Sequence, residues 1–166
     1  MTSDEFFQQH ENLLEKHRLD LVFIDGLHTF TQCLADIMNS LKFLQKNGII
    51  VIDDCNPKTE SNARPTSSHD EAFRINSTEW DGAWMGDVWK TIVYLRSLRE
   101  DLKVFVLDCD DGVGILTKGH STLPRLPFCE EEIKQLSYQD LARSRETFLN
   151  LKPLEYFWED FIPTLR

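Results

Sequence analysis

The strongest hydrophobic pattern lies in residues 20–54, where two short apolar runs each lead into acidic residues. The first run is residues 21–24 and is followed by Asp25, and the second is residues 49–52 and is followed by two aspartates. Unbroken apolar runs of this length are typical of strands that are buried on both faces. We therefore predict two buried strands with acidic tips.

Between the two runs, apolar residues recur at steps of three and four, the period of one helix face. These residues are Phe30, Cys33, Leu34, Ile37, Met38, Leu41 and Leu44. Asn47-Gly48 supplies a residue that tolerates positive φ where this helix must stop. A strand, a helix and a second strand in this order predict a right-handed crossover between parallel strands.

The acidic tips of the two strands are the first candidate site. Parallel strands end at the same sheet edge about 4.8 Å apart, so Asp25 can converge with Asp53 and Asp54. Carboxylates this close repel one another unless a cation or a shared proton lies between them. We predict that these aspartates hold a divalent ion, Mg²⁺, Mn²⁺ or Ca²⁺, through oxygen ligands. The alternative is that they only complete turns, where Asp is common.

The N-terminal residues and the segment after Gly86 carry helix-start signals. Thr2 and Glu5 are spaced as a capping box, and the apolar period that follows predicts a helix over residues 3–17. Asp87 is expected to cap the helix that begins after it.

The second half of the chain predicts a hairpin and a helical extension. An Asp-Gly turn between apolar runs predicts antiparallel strands over residues 104–107 and 113–117. Residues 119–166 are expected to form a helical C-terminal extension, with an exposed helix over 138–149 that begins after Ser137 as its N-cap. An aromatic tail follows that must dock on this domain or on a partner.

A long irregular segment over residues 56–82 separates the patterned elements and is expected to be a loop that covers substrate. Trp84 follows this segment and could form one wall of an acceptor pocket, with core packing as the alternative.

Composition narrows the class of protein. The 166-residue chain has a formal net charge of −10, which argues against a nucleic-acid surface. The sequence shows no apolar stretch of membrane-spanning length and no signal-peptide pattern, so we expect a cytoplasmic protein with no membrane partner. Its four cysteines show no paired metal spacing and are expected to be reduced structural thiols.

Residues 20–57, DLVFIDGLHTFTQCLADIMNSLKFLQKNGIIVIDDCNP, resemble the fourth strand, helix and fifth strand of class I S-adenosylmethionine-dependent methyltransferases. The match is to a branch with Asp-Gly-x-His after one strand and Asp-Asp after the next. GDVWKTIVYLR and LDCDDGVGILTK are also similar to that branch, so the resemblance covers roughly residues 2 to 118.

The resemblance implies an α/β fold: a partial Rossmann-like methyltransferase sheet whose parallel strands end in an antiparallel hairpin, with flanking helices. Residues 1–118 would then be the C-terminal half of a class I domain. The resemblance also implies that His28 lies near the reactive edge, where it could orient a substrate or transfer a proton. The alternative for His28 is an ordinary turn residue. The resemblance further implies that Thr2, Ser3 and Asp4 approach the adenine of the methyl donor.

The chain departs from that family on the donor side, because it has no Gly-rich turn between a strand and a helix. The edge of strand 21–25 would then lie open unless something covers it. A symmetric partner chain, the N-terminal helix or an upstream segment could cover this edge.

Two functions follow from these observations. The first is S-adenosylmethionine-dependent methyl transfer to the oxygen of a small hydroxylated acceptor, assisted by a divalent ion, with Asp25 and His28 as catalytic residues. The alternative is a catalytically inactive, truncated methyltransferase fragment that serves as an assembly or binding module. A metal-dependent hydrolase ranks last, because no nucleophile motif supports it.

Overall fold

The computed structural model describes residues 1–76 and 80–165, so part of the predicted loop, residues 77–79, lies outside the described residues. The fold is α/β, with one five-stranded sheet and flanking helices, as predicted. The strands are β1 (Leu19–Ile24), β2 (Leu44–Ile52), β3 (Leu102–Leu107), β4 (Val113–Lys118) and β5 (Leu151–Lys152). The helices are α1 (Ser3–Gln9), α2 (Glu11–His17), α3 (Phe30–Phe43), α4 (His69–Ile75), α5 (Trp89–Leu98), α6 (Glu130–Gln135) and α7 (Tyr138–Leu149).

The strand order is β1-β2-β4-β3-β5. β1 and β2 are parallel and joined by α3, which confirms the predicted crossover. β4 is antiparallel to both β2 and β3, which confirms the predicted hairpin. The carboxyl ends of β1 and β2 therefore lie at one edge of the sheet, where the candidate site was expected.

The boundary between α3 and β2 differs from the prediction. The helix ends at Phe43, and Leu44 already begins β2, so Asn47-Gly48 lies within the strand rather than at a helix stop. A Cβ on Gly48 would lie 2.8 Å from Leu44 Cδ1 and 2.9 Å from the Leu19 carbonyl oxygen. Glycine is needed here for this close approach, at the register shift between β1 and β2, and not for a positive φ.

Two further predictions about the N-terminal third are wrong. The helix expected over residues 3–17 is interrupted at His10, whose φ of −113° and ψ of 17° separate α1 from α2. β1 is not buried on both faces, because Leu21 is 65% exposed and Phe23 is 61% exposed. These two side chains share the face of the sheet that neither α1 nor α2 covers.

The main core lies on the other face, where α3, α5, α6 and α7 pack against the sheet. Residues of the C-terminal extension, such as Ile133 and Leu141, are fully buried in this core. The division at residue 118 stays a prediction, but the extension shares its core with the preceding residues.

The aromatic tail docks on its own chain. A π-helical turn (Phe157–Phe161) and a 3₁₀ helix (Ile162–Leu165) follow β5 and cover part of the sheet face opposite the main core. Phe161 is 3% exposed and packs with its ring 5.0 Å from that of Phe105, whereas Trp158 is 65% exposed.

None of the helices among the described residues combines the length and the apolarity that crossing a membrane requires. The four cysteines are free thiols, as expected.

Candidate active site

The structure brings together Asp25, His28 and Asp54 at the carboxyl ends of β1 and β2. His28 Nε2 lies 3.5 Å from Asp25 Oδ1, and His28 Nδ1 lies 3.1 Å from Asp54 Oδ2. One ligand atom from each of the three residues lies within 4.8 Å of the others. Atoms bound to one octahedral ion stand about 3 Å apart, so the spacing is compatible with a shared ion after small adjustments.

The orientation of His28 is set by the backbone of the loop that follows α4. Its Nδ1 lies 2.5 Å from the carbonyl oxygen of Trp84. A carbonyl oxygen can only accept a hydrogen bond, so Nδ1 carries the proton and donates it. In the neutral ring Nε2 is then unprotonated and faces Asp25, where it can accept a proton or bind a metal ion.

Asp54 is the most constrained carboxylate of the site. Its φ of 62° lies in the left-handed region, which Asp tolerates better than most residues. Burial is the main cause that raises the pKa of Asp54 from 3.8 to about 7, and the charges of Asp53 and Asp25 raise it further, against the effect of His28. A cation that binds the carboxylate would readily displace this proton into the solvent.

Asp53 is in the same turn but outside the cluster formed by the other three residues. Its backbone N–H donates to the carbonyl oxygen of Ile24, which extends the pairing of β2 with β1. Its Oδ1 accepts a hydrogen bond of 2.9 Å from the backbone N–H of Asp54. Asp53 therefore braces the turn and leaves one oxygen for other contacts. It also lines the cavity of about 10 Å³ between these residues, which has room for a single ion or water.

Trp84 lies against His28, and its role as a wall of the acceptor pocket stays a prediction. Its ring stacks on that of His28, with centroids 4.6 Å apart, and its buried indole N–H has no partner among the described residues. Gly86 has a φ of +59°, and a Cβ there would lie 1.7 Å from the His28 carbonyl oxygen. Only glycine allows the loop to pass this close to the turn that carries His28.

Asn62 holds the loop over residues 82–86 in place, a role that was not identified from the sequence. Its side chain donates to Asp81 Oδ1 at 2.8 Å and to the carbonyl oxygen of Ala83 at 2.9 Å. Its own carbonyl oxygen accepts from the backbone N–H groups of Met85 and Gly86. No sequence signal distinguishes Asn62 from other turn-forming residues in the irregular segment.

The segment that leaves Asp54 is tied to the C-terminal helix α7. Arg145 donates to the side-chain oxygen of Asn56 and, at 2.8 Å, to the carbonyl oxygen of Pro57. The Asn56 side chain also donates to Asp108 Oδ1 at 3.1 Å. Residues that immediately follow the site therefore have fixed positions.

The predicted loop contains a helix, α4, beside the site. His69 at its start places its ring 6.4 Å from that of Trp84 and 5.6 Å from that of Trp80. Phe73 on the same helix is 70% exposed. The described part of this segment thus adds aromatic surface next to Trp84.

Of the N-terminal residues expected to contact the methyl donor, Ser3 lies against the start of α3. Thr2 and Glu5 form the predicted capping box. The side-chain amide of Gln32 donates to Ser3 Oγ at 3.3 Å and to Asp36 Oδ1 at 3.1 Å. Gly26, next to Asp25, would place a Cβ 3.8 Å from Asp36 Oδ2. Ser3 is therefore linked through Gln32 and Asp36 to the edge that carries the acidic cluster, whereas the Asp4 side chain makes no hydrogen bond to the described residues of that edge.

The expected role of Asp87 is wrong. α5 begins at Trp89 with no side-chain cap, and Asp87 instead accepts a 2.7 Å hydrogen bond from the backbone N–H of Phe30 at the start of α3. Lys90 Nζ lies 3.6 Å from the same carboxylate. Asp87 thus joins two helices that flank the site.

Part of the chain is similar to a known protein family. Residues 1–55 match the profile of a methyltransferase domain, a segment that contains His28 and both acidic strand tips. No curated protein matches the chain. The matched segment supports a relationship to methyltransferases and a methyltransferase-like function for this chain.

Proposed function

We propose that the chain transfers a methyl group from S-adenosylmethionine to a hydroxyl oxygen of a small acceptor, assisted by a divalent ion. The observation that carries this proposal is the cluster of Asp25, His28 and Asp54 beyond the ends of two parallel strands. This cluster lies within the segment that matches a methyltransferase domain.

The carboxylate oxygens at this site are compatible with a divalent ion as their ligand partner. Asp25 and Asp54 supply carboxylate oxygens, and Asp53 offers one more from the same turn. Oxygen-rich sets of this kind suit Mg²⁺, Mn²⁺ or Ca²⁺. A bound ion would lower the pKa of an acceptor hydroxyl.

His28 and Trp84 would then bind and deprotonate the acceptor. His28 Nε2 takes the hydroxyl proton, while the Trp84 carbonyl holds the ring by accepting from Nδ1. The Trp84 ring forms a wall beside His28 and limits how the acceptor can lie. Thr2, Ser3 and Asp4 contact the donor, and the link from Ser3 to Gln32 supports a donor position near the start of α3.

The second candidate is a binding or assembly module without catalysis, in a methyltransferase-like fragment. The exposed apolar side chains on β1 and the absence of a Gly-rich donor turn in the sequence favour it. A second copy of the chain or another segment would cover this strand in that case.

Calorimetry with Mn²⁺, Mg²⁺ and S-adenosylmethionine tests the proposal. We expect Mn²⁺ binding that weakens at least about tenfold in Asp25→Asn and in Asp54→Asn, because each removes a charged ligand. Asp20→Asn, an exposed residue of β1 with the same charge change, should bind Mn²⁺ like the wild type. Zn²⁺ is titrated in parallel, and a strong preference for it would contradict the proposed metal class.

His28→Gln separates the roles of base and ligand. We expect this variant to keep Mn²⁺ binding within a few-fold while losing methyl transfer, and loss of Mn²⁺ binding would instead make His28 a ligand. If S-adenosylmethionine does not bind with or without Mn²⁺, the enzyme proposal is wrong and the binding module is favoured.

A further inference from the structure

A second cavity, of about 230 Å³, lies beside the first half of β3 and has a different chemical character from the site above. Its walls come from β3, from the segment after β4, and from the C-terminal tail. The lining residues that matter are Lys103, His120, Asn150, Lys152, Tyr156 and Thr164.

The described residues that line this cavity include no Asp or Glu, although the chain has 28 of them. Four other cavities lined by described residues each include at least one Asp or Glu. Within the described part of the chain, neither Lys103 nor Lys152 has a carboxylate within ion-pair distance, whereas Lys58, Lys90 and Lys134 each have one. The cavity thus presents two lysines without an ion pair in a protein whose net charge is −10, and Lys152 also borders a neighbouring cavity lined by Asp108, Glu146 and Glu155.

The remaining walls supply neutral polar groups and an aromatic surface. Hydroxyl groups of Ser121, Thr122 and Thr164 border the cavity. The side-chain amide of Asn150 donates to the carbonyl oxygen of Val104 at 3.0 Å, which satisfies the unpaired edge of β3 there. Lys152 Nζ lies 5.3 Å from the centroid of the Tyr156 ring, so the two side chains form a cation–π pair at the cavity wall.

This cavity is separate from the acidic cluster. β3 runs parallel to β2, since each is antiparallel to β4, so the start of β3 lies at the opposite end of the sheet from Asp54. β4 also separates the two strands. None of Asp25, His28 and Asp54 lines this cavity, so a ligand here would not contact the proposed ion site.

We propose that this cavity binds a small organic phosphate, whose charge is balanced by Lys103 and Lys152 and whose organic part contacts Tyr156. Lysine ammonium groups bind phosphate as point charges, and hydroxyl groups can donate to its remaining oxygens. The volume is below that of most drug-sized ligand sites, which favours a monosaccharide phosphate over a dinucleotide.

Calorimetry with ribose 5-phosphate tests this proposal, with inorganic phosphate and ribose as comparison ligands and without divalent ions. We expect ribose 5-phosphate to bind more tightly than inorganic phosphate, and ribose not to bind. Lys103→Gln and Lys152→Gln should each weaken binding about tenfold, the loss typical of one charge-assisted contact.

Lys46→Gln is the matched control, because Lys46 is exposed on β2 and carries the same charge. It should bind like the wild type, as should Asp25→Asn, which alters only the other site. Absence of ribose 5-phosphate binding at millimolar concentration would overturn the proposal, as would equal weakening by Lys46→Gln. Neither result bears on Mn²⁺ or S-adenosylmethionine binding, so the two proposals fail independently.

Discussion

Asp54 combines a left-handed backbone conformation with a carboxylate whose charge is opposed by its surroundings. Both features cost free energy in the folded state, and such costs concentrate at functional sites. The proton held by Asp54 near neutral pH is therefore a property of the fold itself.

Asp54→Asn should make the stability of the metal-free protein less dependent on pH. The folded-state pKa of about 7 lies above the ordinary value of 3.8, so protonation of Asp54 stabilises the fold at low pH. That stability is lost as pH rises through about 7. At pH 8 we expect Asp54→Asn to raise the free energy of unfolding by roughly 1–2 kcal/mol, with little change at pH 4.

Urea denaturation at the two pH values measures this effect. Asp20→Asn, on the exposed side of β1, should show no such pH-dependent difference. A variant of Asp54 that is less stable than the wild type at pH 8 would contradict the prediction.

The sequence could place Asp25 and Asp54 at one edge because parallel strands end together, but it could not choose between Asp53 and Asp54. Successive residues of an extended chain point to opposite sides, and the left-handed turn at Asp54 decides which carboxylate joins the cluster. The link from Asp87 to Phe30 was also beyond the sequence, because it joins residues on separate helices.

At the scale of elements, the loop over residues 82–86 connects the irregular segment to α5 and fixes His28. The backbone of this loop turns at Gly82 and Gly86, which both have positive φ. The side chain of Asn62 holds the loop by donating a hydrogen bond to the carbonyl oxygen of Ala83. The loop thus determines the orientation of the proposed base.

Gly86→Ala should destabilise the protein strongly. The added Cβ would meet the His28 carbonyl oxygen at 1.7 Å, in addition to the strain of a φ of +59°. We expect a loss of about 3 kcal/mol or more in the free energy of unfolding. The variant should also disturb His28 and therefore lower methyl transfer.

Gly82→Ala separates the two causes. Gly82 has a φ of +87°, but nothing lies within 4 Å of an added Cβ. This variant should lose only about 1 kcal/mol, the cost of backbone strain alone. Equal losses for the two variants in urea denaturation would show that contact with His28 is not what makes glycine necessary at position 86.

Element type followed from the hydrophobic period for α3, from the Ser137 start signal for α7 and from the Asp-Gly turn for the hairpin. The expected exposure of α7 is wrong, because Leu141, Phe148 and Leu149 are buried. Boundaries did not, because the end of α3 depends on a close contact between Gly48 and Leu19, which belong to different strands. The break at His10 likewise has no counterpart in the apolar period. The exposure of Leu21 and Phe23 on β1 could not be deduced from the sequence, because an apolar run looks the same whether the strand is exposed or buried.

At the scale of the whole molecule, the sheet has two unlike faces. One is covered by four helices, while the other is covered by the aromatic tail near β3 and left open at Leu21 and Phe23 on β1. The sequence indicated that the tail must dock but did not indicate where, because its aromatic residues are compatible with any apolar surface.

Phe161→Ala should test whether the tail belongs to the same folding unit as the sheet. Phe161 is 3% exposed and packs against Phe105, so its truncation should cost about 3–4 kcal/mol and shift a single unfolding transition. Trp158→Ala removes a large tail side chain that is 65% exposed and should cost less than about 1 kcal/mol.

Far-ultraviolet circular dichroism during urea denaturation measures both variants. Two separate transitions, with only the smaller one shifted by Phe161→Ala, would show that the tail unfolds on its own.

Arg145 links α7 to the residues that follow Asp54, because it donates hydrogen bonds to the Asn56 side chain and to the Pro57 carbonyl oxygen. A change far along the chain can therefore displace the acidic strand tip without altering any residue near it. Variation in α7 is therefore a route by which the affinity of the proposed ion site can change while every proposed ligand stays the same.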